Sequence, residues 1–213
     1  MTARRLLGVL HVAVGAFLLF TLVYQIVDLN IGGGFVATEY FAYFTVLSMF
    51  LTVLLLVWTG VSMLRRATDS VALTSWAWAI VPVAMVTAIV YNVTLRGRPT
   101  DVYLGQPWEN EVLHVGIPAF LVVDWFLLRL LDPGRPRLRW PAALVALVFP
   151  TVWVVLTMLR GLLLDGWFPY PFLEPDGPDG VPGILAYVVG IFLFIELTSV
   201  AGIAVTRTGR RAR

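Results

Sequence analysis

The chain has 213 residues, 59% of them hydrophobic and 13% charged, with a formal net charge of +2 at pH 7. A soluble domain carries about 25% charged residues, so this composition excludes an ordinary water-soluble fold and calls for lipid as the solvent. The absence of cysteine excludes disulfide and thiolate chemistry, two histidines are too few for a histidine-rich metal site, and no basic run has the form of a nucleic-acid patch.

Six apolar runs follow one another, roughly Leu6–Val27, Tyr40–Leu64, Val71–Leu95, Val112–Leu131, Trp140–Leu163 and Val181–Val205. Each supplies the roughly 20 residues that a helix needs to cross the hydrocarbon core. Arg4 and Arg5 precede the first run in the manner of a signal peptide. The run is too long for an h-region and no small-x-small site follows it, so an uncleaved first helix is expected. Gly32-Gly33-Gly34 closes this helix. The second run carries Thr45, Ser48 and Thr52, and the fourth carries His114 and Asp124. Asp132-Pro133-Gly134 and Pro136 break the chain before the fifth. An aromatic loop, Trp167-Phe168-Pro169-Tyr170-Pro171-Phe172-Leu173-Glu174, precedes the sixth, which carries Glu196. Backbone in lipid must satisfy its own hydrogen bonds, and no segment alternates like a barrel strand. The fold class expected is therefore all-α: one integral membrane domain over 1–213, a six-helix transmembrane bundle.

All 15 basic residues are arginine, which with abundant Ala, Gly and Val points to a GC-rich bacterial genome. Arg4, Arg5, Arg65, Arg66, Arg129, Arg135, Arg137, Arg139, Arg207, Arg210, Arg211 and Arg213 fall on one side, against Arg96, Arg98 and Arg160 on the other. The positive-inside rule then puts both termini in the cytoplasm. The location expected is the bacterial cell membrane, with membrane lipids as partners and no nucleic acid.

Chemistry must come from sparse polar groups in or near the membrane, because no phosphate loop, HExxH or GxSxG motif occurs. His114 lies about one turn inside the outer end of its helix and suits a general base; the plain alternative is an interfacial histidine bonded to headgroups or a neighbouring helix. Thr45 lies at similar depth, with Ser48 and Thr52 on the same stripe; such hydroxyls also bond the preceding turn or glue helices together. Asp124 and Glu196 lie deeper, as proton-relay carboxylates or as buried groups held by a partner such as Arg129. His11, near the inner end of the first helix, reads as structural. The aromatic loop is either an interfacial belt or a lid over a site.

At these residues the chain resembles a known family, the androgen-induced membrane hydrolases of animals, which cleave fatty acid esters of hydroxy fatty acids. It resembles more closely their bacterial relatives, the Pr-six-Pr membrane proteins. The likeness rests on Phe44-Thr45-Val46-Leu47-Ser48 preceded by Tyr40-Phe41-Ala42-Tyr43, on Trp108-x-Asn110-x-x-x-His114 followed by Pro118, and on Tyr170-Pro171-Phe172-Leu173-Glu174. It implies a six-helix intramembrane bundle in which a threonine and a histidine carry the hydrolysis, and it places those roles on Thr45 and His114. The proline after the histidine falls one residue earlier than in the family.

The expected reaction is attack of Thr45 on a lipid-like ester with His114 as base and no cofactor or metal. Asn110 would orient the imidazole or donate to the oxyanion, Glu174 or Glu111 would hold the other ring nitrogen, and Ser48 and Tyr170 would support the site or bind substrate. The rival is a non-catalytic bundle that binds or carries a lipid or small molecule through Asp124 and Glu196. The hydrolase needs Thr45 and His114 within hydrogen-bond reach, whereas a carrier needs a polar path from them to the deeper carboxylates.

Overall fold

The structure is a computed structural model that describes residues 2–65, 68–96, 107–132 and 134–208. Arg66, Arg98, Asp101, Pro133, Arg210, Arg211 and Arg213, used in the sequence reading, lie outside the described residues. Among the described residues every regular element is helical. Six segments are long and apolar enough to cross a bilayer: Ala3–Ile31, Phe44–Arg65, Val71–Leu95, Trp108–Leu131, Trp140–Asp165 and Gly180–Val205. They match the six apolar runs, and the chain is a multi-pass helical membrane protein.

In chain order, α1 is Ala3–Ile31, α2 is the short Ala37–Tyr40 and α3 is Phe44–Arg65. The fourth helix, α4 (Val71–Val90), ends in a π-helical turn, Tyr91–Leu95. Next, α5 (Pro107–Glu111) passes through a second π-helical turn, Val112–Gly116, into α6 (Ile117–Leu131). A 3₁₀ stretch, Trp140–Leu147, leads into α7 (Val148–Arg160), which ends in a third π-helical turn, Gly161–Asp165. The last helix, α8, is Gly180–Thr208.

Two helix starts differ from the sequence reading. The second run begins at Tyr40 by composition, but the chain turns after α2 and α3 starts at Phe44. The Tyr40 hydroxyl bonds Gln25 Oε1 of α1 at 3.0 Å, and this tertiary contact holds Tyr40 out of α3. The fourth span begins at Trp108 rather than Val112, because the polar residues Glu109, Asn110 and Glu111 hide the helix start from hydropathy. Pro107 suits a first helical position, where its missing N–H has no partner to lose.

The buried centre of the bundle is α4, whose span is 67% buried, against 17% for α8. Trp78 of α4 packs on Trp125 of α6 with ring centroids 4.2 Å apart. Gly202 of α8 lies on the Trp78 indole, where a Cβ would come within 2.1 Å. The α1–α3 pair meets backbone to backbone, since a Cβ on Gly60 would lie 2.7 Å from the Gly8 carbonyl oxygen. Small residues permit such close helix approach in membranes. Leu54, Leu130, Leu164 and Leu197 are exposed on the outer surface, as a lipid-facing exterior requires.

Charge marks the two ends. Arg4 pairs with both Asp69 and Asp132, and Arg135 lies beside Asp69, so the N-terminal end of α1, the α3–α4 connection and the α6–α7 connection meet at one end. Arg207 stacks over Trp140 at 5.0 Å, drawing in the C-terminal end of α8. At the opposite, arginine-poor end, Arg160 donates to the Thr38 carbonyl at 2.6 Å and lies 4.7 Å over the Trp167 ring.

Candidate functional site

The polar residues of the arginine-poor end converge where α3 begins. The Tyr43 carbonyl accepts from the Leu47 N–H at 3.2 Å, so Tyr43 precedes the helix and Thr45 is its second residue. His114 sits in the π-helical turn between α5 and α6. Its Nδ1 lies 3.0 Å from the Asn110 carbonyl oxygen, an acceptor only, so Nδ1 carries the proton. Nε2 of the neutral ring is then an acceptor, and it lies 3.3 Å from Thr45 Oγ1. The geometry has the Thr45 hydroxyl donate to the imidazole. Tyr91, the first residue of the π-helical turn that ends α4, stacks on the imidazole at 3.8 Å and an interplanar angle of 17°. Local π-helical turns are frequent at functional sites; here two of them present the histidine and the ring that packs on it.

Thr45 and His114 line a cavity of about 370 Å³. Gln25 and Asn110 line it as well, and the loop Gly166–Pro171 with Glu174 closes over it. The loop is fastened from outside. Arg160 holds Asp165 at 2.7 Å, Asp165 Oδ1 accepts from the Trp167 N–H at 3.1 Å, and Gly166 turns the chain with φ 69°. Phe168 fills the space beside Gly161, where a Cβ would come within 2.3 Å of its ring. The aromatic loop thus forms one wall of this cavity. A second, apolar cavity of about 40 Å³ shares Thr45, Tyr91, Leu95 and Tyr170 with the first. Val90, Trp153, Phe172, Val188 and Ile191 extend it toward α7 and α8.

Tyr170 is buried between the two cavities, in edge-on contact with Tyr43 and 5.9 Å from the Trp153 ring. Burial pushes its phenol well above the ordinary value, an effect only partly offset by the Thr45 hydroxyl and the Thr45 and Phe44 backbone N–H groups that face its oxygen. The Tyr40 phenol is likewise pushed up, by burial and then by the Glu109 charge. Both phenols keep their protons at neutral pH, and the Tyr40 hydroxyl donates to Gln25 Oε1.

The structure brings together Thr45, His114, Asn110, Tyr170 and Glu174 and leaves the other expected site residues apart. Ser48 is buried outside both cavities and donates to the Thr45 carbonyl at 2.9 Å, and Thr52 donates to the Ser48 carbonyl at 2.8 Å. That stripe bonds its own helix. The backbone of Asn110 orients the imidazole. Neither glutamate does: Glu111 pairs with Arg96, and Glu174 is an exposed member of the cavity rim.

Asp124 Oδ2 is hydrogen-bonded to His11 Nε2 at 3.1 Å, while His11 Nδ1 faces the Leu7 carbonyl at 2.7 Å. His11 is a partner of Asp124 that the sequence reading did not name. Glu196 lines neither cavity, and its Oε2 is buried with no hydrogen bond. The sequence reading also missed Gln25 and Tyr91. Gln25 left a signal, being an amide inside an apolar run; Tyr91 left none, since tyrosine is common near membrane interfaces.

Among the described residues no three His, Asp or Glu side chains converge as a metal site. No family model matches the chain, and comparisons with curated proteins and with solved structures give no match either.

Proposed function

We propose that the protein is an intramembrane hydrolase of lipid-like esters, with Thr45 as nucleophile and His114 as base. The observation that carries this reading is the pairing of Thr45 Oγ1 with His114 Nε2 at 3.3 Å, on a ring whose other nitrogen is tied to a carbonyl. A threonine hydroxyl is a weak nucleophile until a base takes its proton, and this tautomer presents the base on the correct side. Thr45 attacks the ester carbonyl as its proton passes to Nε2. The imidazolium then protonates the leaving alcohol, and water regenerates the threonine by the same steps in reverse.

The two cavities that meet at Thr45 support the substrate class. The larger has Gln25, Asn110 and Glu174 on its walls and suits the polar part of a lipid. The smaller is apolar and suits the first carbons of an acyl chain reaching in from the bilayer. The motif likeness to the androgen-induced hydrolases and the Pr-six-Pr proteins points the same way. In this reading the protein lies in the bacterial cell membrane, with both termini cytoplasmic and the site in the outer leaflet.

A carrier built on Asp124 fits less well. Asp124 lies ten residues beyond His114, about 15 Å along the helix. Ile117 and Leu121 on that helix, Met49 and Val53 on α3, and Leu18 and Leu22 on α1 are all buried apolar residues of one core cluster.

The test is hydrolysis of acyl esters of graded chain length by the purified protein beside Thr45→Ala, His114→Ala, the double variant and Asp124→Asn. Each single site variant should lose about 10²–10⁴-fold in kcat, and the double variant little more, because a nucleophile and its base act as a unit. Asp124→Asn should keep its activity. Full activity in both single variants would refute the site. Absence of turnover with every ester by folded wild-type protein would favour the binding or carrier role.

A further inference from the structure

An ester hydrolase must also stabilise the negative oxygen of the tetrahedral intermediate, and a threonine–histidine pair does not do that by itself. Resting on the hydrolase reading, we infer that the Tyr170 hydroxyl, set in the cavity at the first turn of α3, is the oxyanion donor. The inference starts from the helix end. Because the first intrahelical bond of α3 runs from the Leu47 N–H to the Tyr43 carbonyl, the N–H groups of Phe44, Thr45 and Val46 precede any acceptor within the helix. A 22-residue helix concentrates positive potential at this terminus.

Tyr170 is the side chain set against it. The residue lines both cavities together with Thr45, the second residue of α3. The ring is locked by Tyr43, Trp153 and Phe172, the last stacked at 5.1 Å. The positive end of α3 lies on the same wall of the cavity and favours negative charge there, and buried Tyr170 retains its proton throughout.

The step balances. As Thr45 Oγ1 bonds the carbonyl carbon and its proton moves to His114 Nε2, the carbonyl π pair moves onto oxygen, which accepts from Tyr170 O–H. When the pair returns, the bond to the alkoxy oxygen breaks and Nε2–H protonates that oxygen. Hydrolysis of the acyl-threonine repeats the cycle with water as nucleophile. Tyr170 donates a hydrogen bond in both halves and transfers no proton.

The experiment compares wild type, Tyr170→Phe, Thr45→Ala and a protein with ring-fluorinated tyrosine at position 170. Each is assayed for ester turnover, for binding of an alkyl trifluoromethyl ketone, which forms the oxyanion adduct on a nucleophile, and for thermal midpoint. Tyr170→Phe keeps the packed ring and should lower kcat by about 10²–10³-fold with little change in KM. Ketone affinity should fall in parallel. Fluorination, which makes the phenol a stronger donor without changing its shape, should raise kcat. If Tyr170→Phe does not fold, the fluorinated protein decides.

Three results overturn the inference. Full activity in Tyr170→Phe with an inactive Thr45→Ala would remove Tyr170 and leave the dyad standing. Loss of activity without loss of ketone affinity, with no response to fluorination, would make Tyr170 a packing residue. Full activity in Thr45→Ala would end the hydrolase reading, and this inference with it.

Discussion

Asp69 sits at the junction of three segments at the arginine-rich end, with a fully buried side chain. Its Oδ1 accepts from Arg4 at 2.9 Å and from Ser62 at 2.6 Å, and its Oδ2 lies 3.7 Å from Arg135 Nη1. Asp69→Asn keeps the shape and removes the charge. Arg4 retains Asp132, with which it is also paired. Arg135 fares worse, because it is buried and none of its three guanidinium nitrogens makes a hydrogen bond. Burial already pushes Arg135 below the ordinary arginine range, and Asp69 is the first of the carboxylates that oppose this.

Two unit charges 3.7 Å apart interact by about 4–5 kcal/mol at an effective dielectric of about 20. Stranding one partner of a buried pair costs about 3–5 kcal/mol. Asp124 and Asp132 also face Arg135, which favours the lower figure. At about 2–4 °C per kcal/mol for a chain of this size, the thermal midpoint in detergent should fall by roughly 10 °C. Arg135→Met on the Asp69→Asn background removes the stranded cation and should recover most of that loss. An unchanged midpoint in Asp69→Asn, or a double variant less stable than the single, would refute the reasoning.

Two further predictions test the fold. Gly60→Ala places a Cβ 2.7 Å from the Gly8 carbonyl oxygen and 2.8 Å from Val12 Cγ2; α1 and α3 must separate by about 0.6 Å to restore an ordinary C···O contact. Overpacking of this kind costs about 1–3 kcal/mol, and an unshifted thermal midpoint would contradict the backbone contact. Sidedness reporters fused at Arg213 and inserted at Asp176 should report opposite faces, cytoplasmic and external, as the arginine asymmetry requires; a common face for both would overturn the topology.

The six spans were legible because lipid leaves the backbone few choices, so length and hydropathy alone identify them. The pairing of Thr45 with His114 was half legible. Equal depths for Thr45 and His114 follow from counting turns, but their approach depends on how α3 and α5–α6 pack. The atom that orients the imidazole could not be read, because it is a backbone carbonyl, that of Asn110, rather than either candidate glutamate. The π-helical turns that present His114 and Tyr91 leave no hydropathy signature. The start of α3 was misplaced because the bond between Tyr40 and Gln25 joins residues 15 positions apart, beyond the reach of a local pattern. The Asp69–Arg135 pair joins two connections that only the folded bundle brings together, and the His11–Asp124 pair joins helices 113 residues apart.

The slight burial of α8 has a mechanical consequence. With only 17% of its spanning window buried within the chain, α8 leaves much of its surface to the surrounding acyl tails. Val188 and Ile191 of that helix wall the smaller cavity. A bilayer whose thickness differs from the length of α8 tilts or strains that helix, so the membrane bears on the cavity wall as well as solvating it.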